Sequence, residues 1–362
     1  MLENTVYCLK RNKKLTIGYF GGSITEGMLA PGNTIMSYRI QVNEWFRQQC
    51  PEAEIREVQA AISGTGTQLG MHRCEDDLLK GDPDLIFIEF AVNDYGQCSY
   101  EQLAAQVETI LRKAYAKNPY TDVVFLYTTM KEICDSLEKG GEYTSRSAHT
   151  AVAHHYGLPM IDIGTVMWTE VLRSGGDFLQ YTSDTIHPNA AGYALYSDTI
   201  CSFLSQWLNM DTPNEMKKIV LPERTFCPKL HMNAHIEDCT QLDGLKMDGF
   251  TVSGKTLCGR YPRYIESATP GDSFSFTFTG ENAGFYWIKA NDSGDVLVSV
   301  DGGEDITVRS WDFYCPGGPR AAYNFFAENL EYGVHTVVVR IAETKAEESK
   351  GTAIRIGAIL VS

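Results

Sequence analysis

The sequence lacks the features of a membrane protein or a zinc protein. No apolar run approaches the roughly 20 residues that span a bilayer. Residues 1–14 are polar and lack the apolar stretch of about 7–15 residues found in a signal peptide. The ten cysteines include no Cys-x-x-Cys pair, which disfavours zinc sites and thioredoxin-like chemistry. We therefore expect ten free thiols, no metal or other cofactor, and a cytoplasmic location.

Positive charge is also scarce. The formal net charge is −15, and the short basic run over residues 10–14 is typical of a solvent-exposed entry to a strand. An acidic surface repels phosphate backbones and anionic lipids, so we expect neither nucleic acid nor a membrane as a partner. The charge suits a neutral substrate such as a sugar ester. A homodimer is expected only because homo-oligomers are common.

Strand and helix patterns alternate over residues 1–210. Apolar runs bounded by turn residues predict strands, and amphipathic stretches predict helices between them. The strands are predicted over 15–20, 54–61, 84–90, 122–129 and 160–163, and the helices over 34–49 (with Ile35 on the buried side), 100–118, 145–156 and 190–208. This alternation predicts a parallel sheet covered by helices on both faces, with a site at the carboxyl ends of the strands.

The pattern changes near residue 210. Residues 211–229 are polar and contain three prolines, which is typical of a linker between domains. Beyond them, short strands are predicted over 273–278, 285–289, 296–300, 334–341 and 353–360. Such strands, separated by Gly and Asp turns, predict a β-sandwich or jelly roll for residues 230–362.

A serine and a histidine bracket the alternating stretch. Ser23 lies in a Gly-Gly-Ser turn directly after the first predicted strand, where a sharp turn exposes its hydroxyl. His187 lies three residues after Asp184, so the two side chains can lie side by side. A serine hydroxyl needs a base near neutral pH, and a carboxylate orients that base. The alternatives are a capping serine, and a capping aspartate beside a surface histidine.

Two further positions follow predicted strands and offer hydrogen-bond donors. The backbone N–H of Gly64 can closely approach a substrate oxygen, with a flexible turn as the alternative. The side-chain amide of Asn93 can stabilise an oxyanion, with a loop asparagine bonded to backbone as the alternative. Asp94 is expected to make local turn contacts. The other histidines are expected to be structural or solvated: His72, His149, His154, His155, His231, His235 and His335.

In this order the motifs resemble those of the SGNH (GDSL-like) hydrolases over about residues 15–208. Gly21-Gly22-Ser23-Ile24-Thr25 is similar to the first family block, with Gly22 where many members have Asp. Ser63-Gly64-Thr65 is similar to the glycine block. Ala91-Val92-Asn93-Asp94 is similar to the Gly-x-Asn-Asp block, with Ala91 in place of Gly. Asp184-Thr185-Ile186-His187 is similar to the Asp-x-x-His block.

The resemblance implies a flavodoxin-like three-layer α/β/α fold for residues 1–210. It implies that Ser23 is the nucleophile, His187 the base and Asp184 the group that orients the base. It also implies an oxyanion hole formed by the backbone N–H groups of Ser23 and Gly64 and the side chain of Asn93.

Such a domain followed by a β-sandwich resembles bacterial carbohydrate esterases, most of all the acetyl-mannan esterases of carbohydrate esterase family 17. That resemblance implies a carbohydrate-binding-module-like sandwich and acetylated oligosaccharides as substrates. The loop with Trp311, Phe313 and Tyr314 supports this, because aromatic faces stack on sugar rings. Alternatively, Trp311 and Phe313 pack between the domains or in the sandwich core.

Three functions are compatible with these patterns. The first is a serine esterase that removes O-acetyl groups from oligosaccharides. The second keeps the fold but acts on other esters, as a xylooligosaccharide acetylesterase, a lysophospholipase, a thioesterase or a peptidoglycan-type esterase. The third is a non-catalytic carbohydrate-binding protein. The acidic surface disfavours lipids, and the complete Ser, His and Asp set disfavours the third function.

Overall fold

The computed structural model describes residues 2–32 and 36–362, and it divides into two compact units, Met1–Met232 and Asn233–Ser362. The strands of the first unit are β1 (Lys14–Gly21), β2 (Glu54–Gln59), β3 (Leu85–Glu89), β4 (Asp122–Tyr127) and β5 (Met160–Asp162). Its helices are α1 (Glu3–Tyr7), α2 (Ser23–Glu26), α3 (Tyr38–Gln49), α4 (Thr67–Asp77), α5 (Tyr100–Lys117), α6 (Lys131–Glu138), α7 (Thr144–His155), α8 (Ile163–Arg173) and α9 (Ala190–Leu208).

The strands of the first unit form a parallel sheet. The strand order is β2-β1-β3-β4-β5, and each neighbouring pair is parallel. Strands β1, β3 and β4 are buried along almost their entire length, as parallel strands covered on both faces must be. Helices α3 and α8 contact α9, while α4 and α7 contact α5, which gives two helical layers. The predicted flavodoxin-like α/β/α fold is confirmed.

The predicted helices and strands of this unit are present, with small differences at their ends. The helix predicted over 34–49 corresponds to α3, which begins at Tyr38, and the Ile35 part of that prediction lies outside the described residues. Helix α5 begins as predicted because Ser99 and Gln102 form a capping box. It ends before Pro119, which cannot continue a helix.

Helices α1, α4, α6 and α8 were not predicted. Helix α8 follows β5 directly, and the Asp162 carboxylate caps it by accepting the N–H of Thr165 at 3.0 Å. Its first turn contains β-branched residues and a glycine, which are poor helix formers. Gly164 is required there because a Cβ would lie 2.9 Å from the carbonyl oxygen of Thr128. Packing against the end of β4 therefore overrides a weak local preference.

The segment predicted to link two domains lies within the first unit. Residues 211–229, which we call the strap, precede the boundary after Met232. The Asn4 side-chain amide donates to the carbonyl of Lys217 and its oxygen accepts the Lys217 N–H, both at 2.8 Å. The strap is therefore bonded to the first unit, although its prolines keep it out of regular structure.

The side chain of Glu108 on α5 holds the later part of the strap. Its fully buried carboxylate accepts the backbone N–H of Phe226 at 2.8 Å and that of Cys227 at 2.7 Å. It also accepts the hydroxyl of Tyr156 at 2.5 Å. Buried backbone N–H groups need such partners, so this carboxylate substitutes for the strand or helix that the strap lacks.

The second unit consists largely of strands. They are β6 (His235–Asp238), β7 (Lys246–Asp248), β8 (Thr251–Ser253), β9 (Tyr264–Ser267), β10 (Ser273–Gly280), β11 (Ala283–Lys289), β12 (Asp295–Val300), β13 (Ile306–Arg309), β14 (Arg320–Ala327), β15 (Gly333–Ile341) and β16 (Ile354–Val361). The sequence predicted β10, β11, β12, β15 and β16, whose side chains are buried in runs or alternation. Shorter strands such as β7 and β8 are largely exposed and carried no such pattern.

These strands form two antiparallel sheets around one core. One sheet has the order β13-β12-β15-β10-β7, and the other has the order β14-β11-β16-β9-β8, with β6 also paired to β16. Phe274 and Phe276 of the first sheet share a buried cluster with Phe285 and Trp287 of the second. The two sheets therefore face each other across a common apolar core, and the predicted β-sandwich is confirmed.

Glu108→Gln should destabilise the first unit. The glutamine NH₂ group would face a buried backbone N–H of the strap, and leaving such a group unpaired costs about 1–3 kcal/mol. We expect the free energy of unfolding of this unit, measured by urea denaturation, to fall by that amount. Glu138→Gln at the exposed end of α6 is the control and should change it by less than about 0.5 kcal/mol. Equal effects of the two substitutions would contradict this role of Glu108.

Candidate active site

Three loops of the first unit meet at one edge of its sheet. Ser23 follows β1, Gly64 follows β2 and Asn93 follows β3. Strand β1 lies between β2 and β3, and all three are parallel, so their carboxyl ends lie side by side. The strand order changes direction between β1 and β3, which is where open α/β sheets bind ligands.

Ser23 is the first residue of the short helix α2. Gly22, with extended backbone angles, occupies the N-cap position, so Ser23 is not the capping residue of the alternative interpretation. The first N–H groups of a helix have no partner within the helix, and the N–H of Ser23 is one of them. Ser23 is only 8% exposed, and its buried hydroxyl lies next to a polar side chain.

That side chain is the imidazole of His187. Nε2 of His187 lies 2.8 Å from Oγ of Ser23, and Nδ1 lies 2.7 Å from a carboxylate oxygen of Asp184. With the ring proton on Nδ1 donated to Asp184, Nε2 is free to accept the proton of the serine hydroxyl. The structure thus brings together the three residues that the sequence identified as candidates for catalysis.

Hydrogen bonds keep Asp184 ionised. Partial burial of the carboxyl opposes ionisation, but the backbone N–H and the imidazole of His187 and the N–H of Ile186 all donate to it. Together these donors hold the pKa of Asp184 below its ordinary value of 3.8. The carboxylate is therefore charged at neutral pH and can stabilise a protonated His187.

The turn between Asp184 and His187 contains a strained residue. Thr185 has a φ of 71°, in the left-handed region that β-branched residues rarely adopt. Its carbonyl oxygen accepts the backbone N–H of Lys131, the first residue of α6, at 3.0 Å. The N–H of Ser183 donates to the carbonyl of His187 at 2.8 Å. These bonds fix the turn, and strain of this kind is common next to functional groups.

Gly64 and Asn93 present hydrogen-bond donors at the same edge. Gly64 has a φ of 70°, and a Cβ there would meet nothing within 4 Å, so the glycine serves the backbone conformation. The half-buried Asn93 side chain lies against Gly22, where a Cβ would overlap its amide. Within residues 2–32 and 36–362, neither the Gly64 N–H nor the Asn93 amide has a hydrogen-bond partner. Both groups are therefore available to donate to a ligand oxygen.

Asp94 connects two of these loops. Its carboxylate accepts the N–H and the hydroxyl of Thr67 at 2.8 and 3.0 Å, and it lies 3.0 Å from Nε2 of His149. The expected local turn contacts are made by the Asp94 backbone, whose N–H donates to the carbonyl of Phe90 at 2.9 Å and whose carbonyl accepts the N–H of Gln97 at 3.1 Å. The side chain reaches Thr67 because Gly66 has no Cβ, which would overlap the carboxylate.

Two buried charged residues beneath this edge were not identified from the sequence. Arg73 on α4 is fully buried and donates to the carbonyl oxygens of Gly21 and Ala60. Its guanidinium also lies 4.5 Å from the centre of the Phe20 ring. Glu89 is the fully buried last residue of β3. A charged residue at the end of an apolar strand was the one sequence signal that pointed to Glu89.

The aromatic loop of the second unit is exposed. Phe313 and Tyr314 are 83% and 68% exposed, and their rings meet edge to face at 5.7 Å. The Arg320 guanidinium lies 5.3 Å from the centre of the Tyr314 ring. Trp311 is half-buried. Phe313 is therefore not part of the sandwich core, which was one alternative for this loop.

Metal clusters, membrane-spanning helices and disulfides would indicate other protein classes. No group of three His, Cys, Asp or Glu side chains in the described ranges could hold a metal ion. In the part of the chain that the structure describes, no helix has both the length and the apolar character needed to cross a bilayer. All ten cysteines are free thiols, which confirms that prediction.

Residues 19–195 match the model of the GDSL-like lipase/acylhydrolase family. The first domain belongs to this family. The matched range includes every residue of the candidate site, from Ser23 after β1 to the turn that carries Asp184 and His187. The chain is therefore a carboxylic ester hydrolase of the GDSL type.

Solved structures extend the likeness to both domains. The chain is similar to a two-domain esterase (CEX) active on acetylated mannans, with a TM-score of 0.84 and 24% identity over 100% of this chain and 95% of that chain. The same esterase co-crystallised with mannopentaose gives a TM-score of 0.81 at 24% identity, over the same shares of the two chains. At this identity the likeness shows the fold alone. No curated protein matches the chain in sequence.

Gly22→Ala should damage the GDSL-type site through Asn93. A methyl group fits the backbone angles of residue 22 but overlaps the Asn93 amide, which must move. If that amide stabilises the oxyanion, kcat on a small aryl acetate should fall about 10²–10³-fold, as in Asn93→Ala.

The double variant Gly22→Ala/Asn93→Ala is the control for this prediction. Because both substitutions act on one amide group, its kcat should equal that of Asn93→Ala alone. Losses that multiply in the double variant would show that Gly22 acts independently of Asn93.

Proposed function

We propose that this chain removes O-acetyl groups from short mannose-containing oligosaccharides through a covalent acyl-enzyme. One observation carries the chemistry: the hydrogen-bond chain that runs from the Ser23 hydroxyl through His187 to Asp184. The substrate class is supported by the full-length likeness to a two-domain esterase active on acetylated mannans.

The first half of the reaction transfers the acetyl group to Ser23. Oγ attacks the acetyl carbonyl carbon while Nε2 of His187 takes the hydroxyl proton, and Asp184 stabilises the imidazolium that forms. The carbonyl oxygen becomes an oxyanion that accepts hydrogen bonds from the N–H groups of Ser23 and Gly64 and from the Asn93 amide. The intermediate collapses as the bond to the sugar oxygen breaks, and His187 donates its proton to that oxygen.

The second half of the reaction releases acetate. A water molecule attacks the acetyl carbon of the acyl-enzyme, and the neutral His187 accepts a proton from that water. The same donors stabilise the second oxyanion. When the bond to Oγ breaks, His187 returns its proton to Ser23, and the enzyme is regenerated. Asp184 orients the ring in both halves, so one tautomer serves both proton transfers.

The charge and the free thiols fit an oligosaccharide substrate. A net charge of −15 does not repel a neutral sugar ester, whereas it repels the headgroups of anionic lipids. Ten free thiols are typical of a reducing compartment such as the cytoplasm. In that compartment, an imported oligosaccharide is more accessible than an intact polysaccharide.

Acetate release by the wild type and by Ser23→Ala tests the chemistry and the substrate class together. The substrates are acetylated manno-, xylo- and chito-oligosaccharides and a lipid ester. We expect the highest kcat/KM on the manno-oligosaccharides and a loss of at least about 10⁴-fold in Ser23→Ala. A preference for the lipid ester would overturn the substrate class, and activity that survives in Ser23→Ala would overturn the nucleophile.

The exposed aromatic loop supports sugar binding by the second domain. Asp312 forms ion pairs with Arg320 and, at 3.2 Å, with Lys289, and it accepts the N–H of Tyr314 at 3.0 Å. These bonds order the loop, so the aromatic rings lose little freedom when a sugar stacks on them. We propose that Phe313 and Tyr314 bind a sugar unit of the substrate, and that the half-buried Trp311 contributes less.

Phe313→Ala and Tyr314→Ala should weaken binding of mannopentaose, measured by calorimetry. Stacking worth about 0.5–1.5 kcal/mol corresponds to an increase in Kd of about 2–12-fold for each substitution. Hydrolysis of a small aryl acetate should not change. Tyr332→Ala removes an aromatic side chain that is 63% exposed elsewhere in the same domain, and it is the matched control. An equal loss in that variant would contradict a sugar site at the loop.

A further inference from the structure

Glu89 is a carboxyl group buried without a cation. It is the last residue of β3, its exposed fraction is 0%, and it forms no ion pair with any residue in the ranges 2–32 and 36–362. An ionised carboxylate is costly to bury unless hydrogen bonds compensate it. A glutamine or an apolar residue would be easier to accommodate here, so packing alone does not explain an acidic residue at position 89.

Hydrogen-bond donors reach this carboxyl from three elements. The hydroxyl of Thr25 on α2 donates at 2.8 Å, and that of Thr128 after β4 donates at 2.7 Å. The backbone N–H of Gly22 also faces the carboxyl and favours its charged form. The Thr25 hydroxyl lies 2.8 Å from that of Tyr38, which can donate to it in turn. This arrangement matches an ionised carboxylate, which only accepts hydrogen bonds.

The bond from Thr25, two residues after Ser23 on α2, places Glu89 next to the candidate nucleophile, and the Gly22 N–H faces the same carboxyl. The carbonyl of the same peptide group, that of Gly21, accepts hydrogen bonds from Arg73 at 3.2 Å and from the N–H of Ile62 at 3.1 Å. The Gly21–Gly22 peptide is thus held between a buried cation and a buried acid. Ser23 is the next residue, so the orientation of this peptide determines where α2 begins.

The surroundings make the charge on Glu89 sensitive to pH. Burial raises the pKa of Glu89 to about 7, although the donors from Thr128, Thr25 and Gly22 lower it. The titratable groups around Glu89 include acidic or neutral ones: Asp94 after β3, Tyr38 on α3, Tyr143 before α7, and Tyr193 and Tyr196 on α9. Two cations lie one residue further away, Arg73 at the carbonyl of Gly21 and Arg39 at the carbonyl of Thr25, and neither forms an ion pair with Glu89 in the described ranges. Both forms of Glu89 are therefore populated near neutral pH.

We propose that Glu89 is a positioning residue for Ser23 and that it acts in its ionised form, through the Gly22 N–H and the Thr25 hydroxyl. The carboxylate holds the backbone before Ser23 and the side chain after it at the same time. A protonated carboxyl must donate its own proton, which turns one threonine hydroxyl away and loosens the first turn of α2. This role rests on the proposed function of Ser23 as the nucleophile.

Glu89→Gln tests the proposal because it keeps the shape of the side chain and removes its ionisation. In the wild type, protonation of His187 and of Glu89 should both inactivate the enzyme, so log(kcat/KM) on a small aryl acetate should fall in acid with a slope approaching 2. The variant should show a slope of 1. Its kcat should fall about 10–100-fold with KM unchanged, because a slightly misplaced nucleophile reacts slowly.

The same variant should be the more stable protein at high pH. The pKa of Glu89 is raised from 4.5 to about 7, so the folded chain binds its proton more tightly than the unfolded chain does. The stabilisation that this bound proton gives the folded state is complete below the ordinary pKa of 4.5, and it is lost as the pH rises toward 7. The Tm of Glu89→Gln relative to wild type should therefore rise between about pH 5 and pH 8. A purely structural role predicts lower stability with an unchanged slope of log(kcat/KM).

Asp122→Asn is the matched control. Asp122 is another buried carboxyl, and burial raises its pKa to about 6, but it lies at the start of β4, the opposite end of the sheet. It accepts the N–H and the hydroxyl of Thr5, at 2.7 and 2.8 Å. Its substitution should leave the slope of log(kcat/KM) at 2. A reduced slope in this variant would overturn the proposal, because acid sensitivity would then not be particular to Glu89.

Thr128→Val keeps the proposal testable if Glu89→Gln does not fold. Loss of the hydroxyl removes a donor that lowers the pKa of Glu89, so the acid limb of kcat/KM should move to higher pH. An unmoved acid limb, or a slope of 2 in Glu89→Gln, would overturn the positioning role. Activity of Ser23→Ala on the aryl acetate would instead reject the proposed function, so the two failures can be told apart.

Discussion

The peptide group between Gly21 and Gly22 connects the parts of the candidate site. Its carbonyl is bonded to Arg73, which also binds the carbonyl of Ala60 at the end of the neighbouring β2 connection. Its N–H faces the Glu89 carboxyl at the end of β3. The ends of three parallel strands are therefore tied to one peptide directly before the serine. Neither glycine tolerates a side chain, because a Cβ would overlap Thr25 or Asn93.

The sequence predicted the residues of the candidate site better than the buried residues that hold them in place. Ser23, Gly64 and Asn93 follow apolar runs that are recognisable as strands, and the topology of a parallel sheet places such positions together. Arg73 and Glu89 could not be recognised in this way. Each lies in a buried element, and the partners that connect it to the site are distant in sequence, so no local pattern records those contacts. Helix propensity missed α8 for a related reason, because packing rather than composition stabilises its first turn.

Buried carboxylates secure the irregular segments of the first domain. Glu89 faces a backbone N–H in the turn before α2, and Asp122 accepts one from α1. Glu108 accepts two from the strap. Each of these N–H groups lies outside the sheet, and a buried one would be unpaired without the carboxylate. Carboxylates thus provide hydrogen-bond acceptors for backbone N–H groups beyond the ends of the β-ladders. The sequence does not reveal these contacts, because an isolated acid in an apolar stretch produces no periodic pattern.

The strap also determines what can be moved as a unit. A cut after α9 would remove both N–H groups that bind the Glu108 carboxylate and the backbone that pairs with Asn4. The smallest transferable hydrolase module therefore ends near residue 232 and not at the last helix. A gene fusion that attaches a different binding domain should join it beyond that point. The proline-rich stretch, despite its linker-like composition, is hydrogen-bonded to the catalytic module and belongs with it.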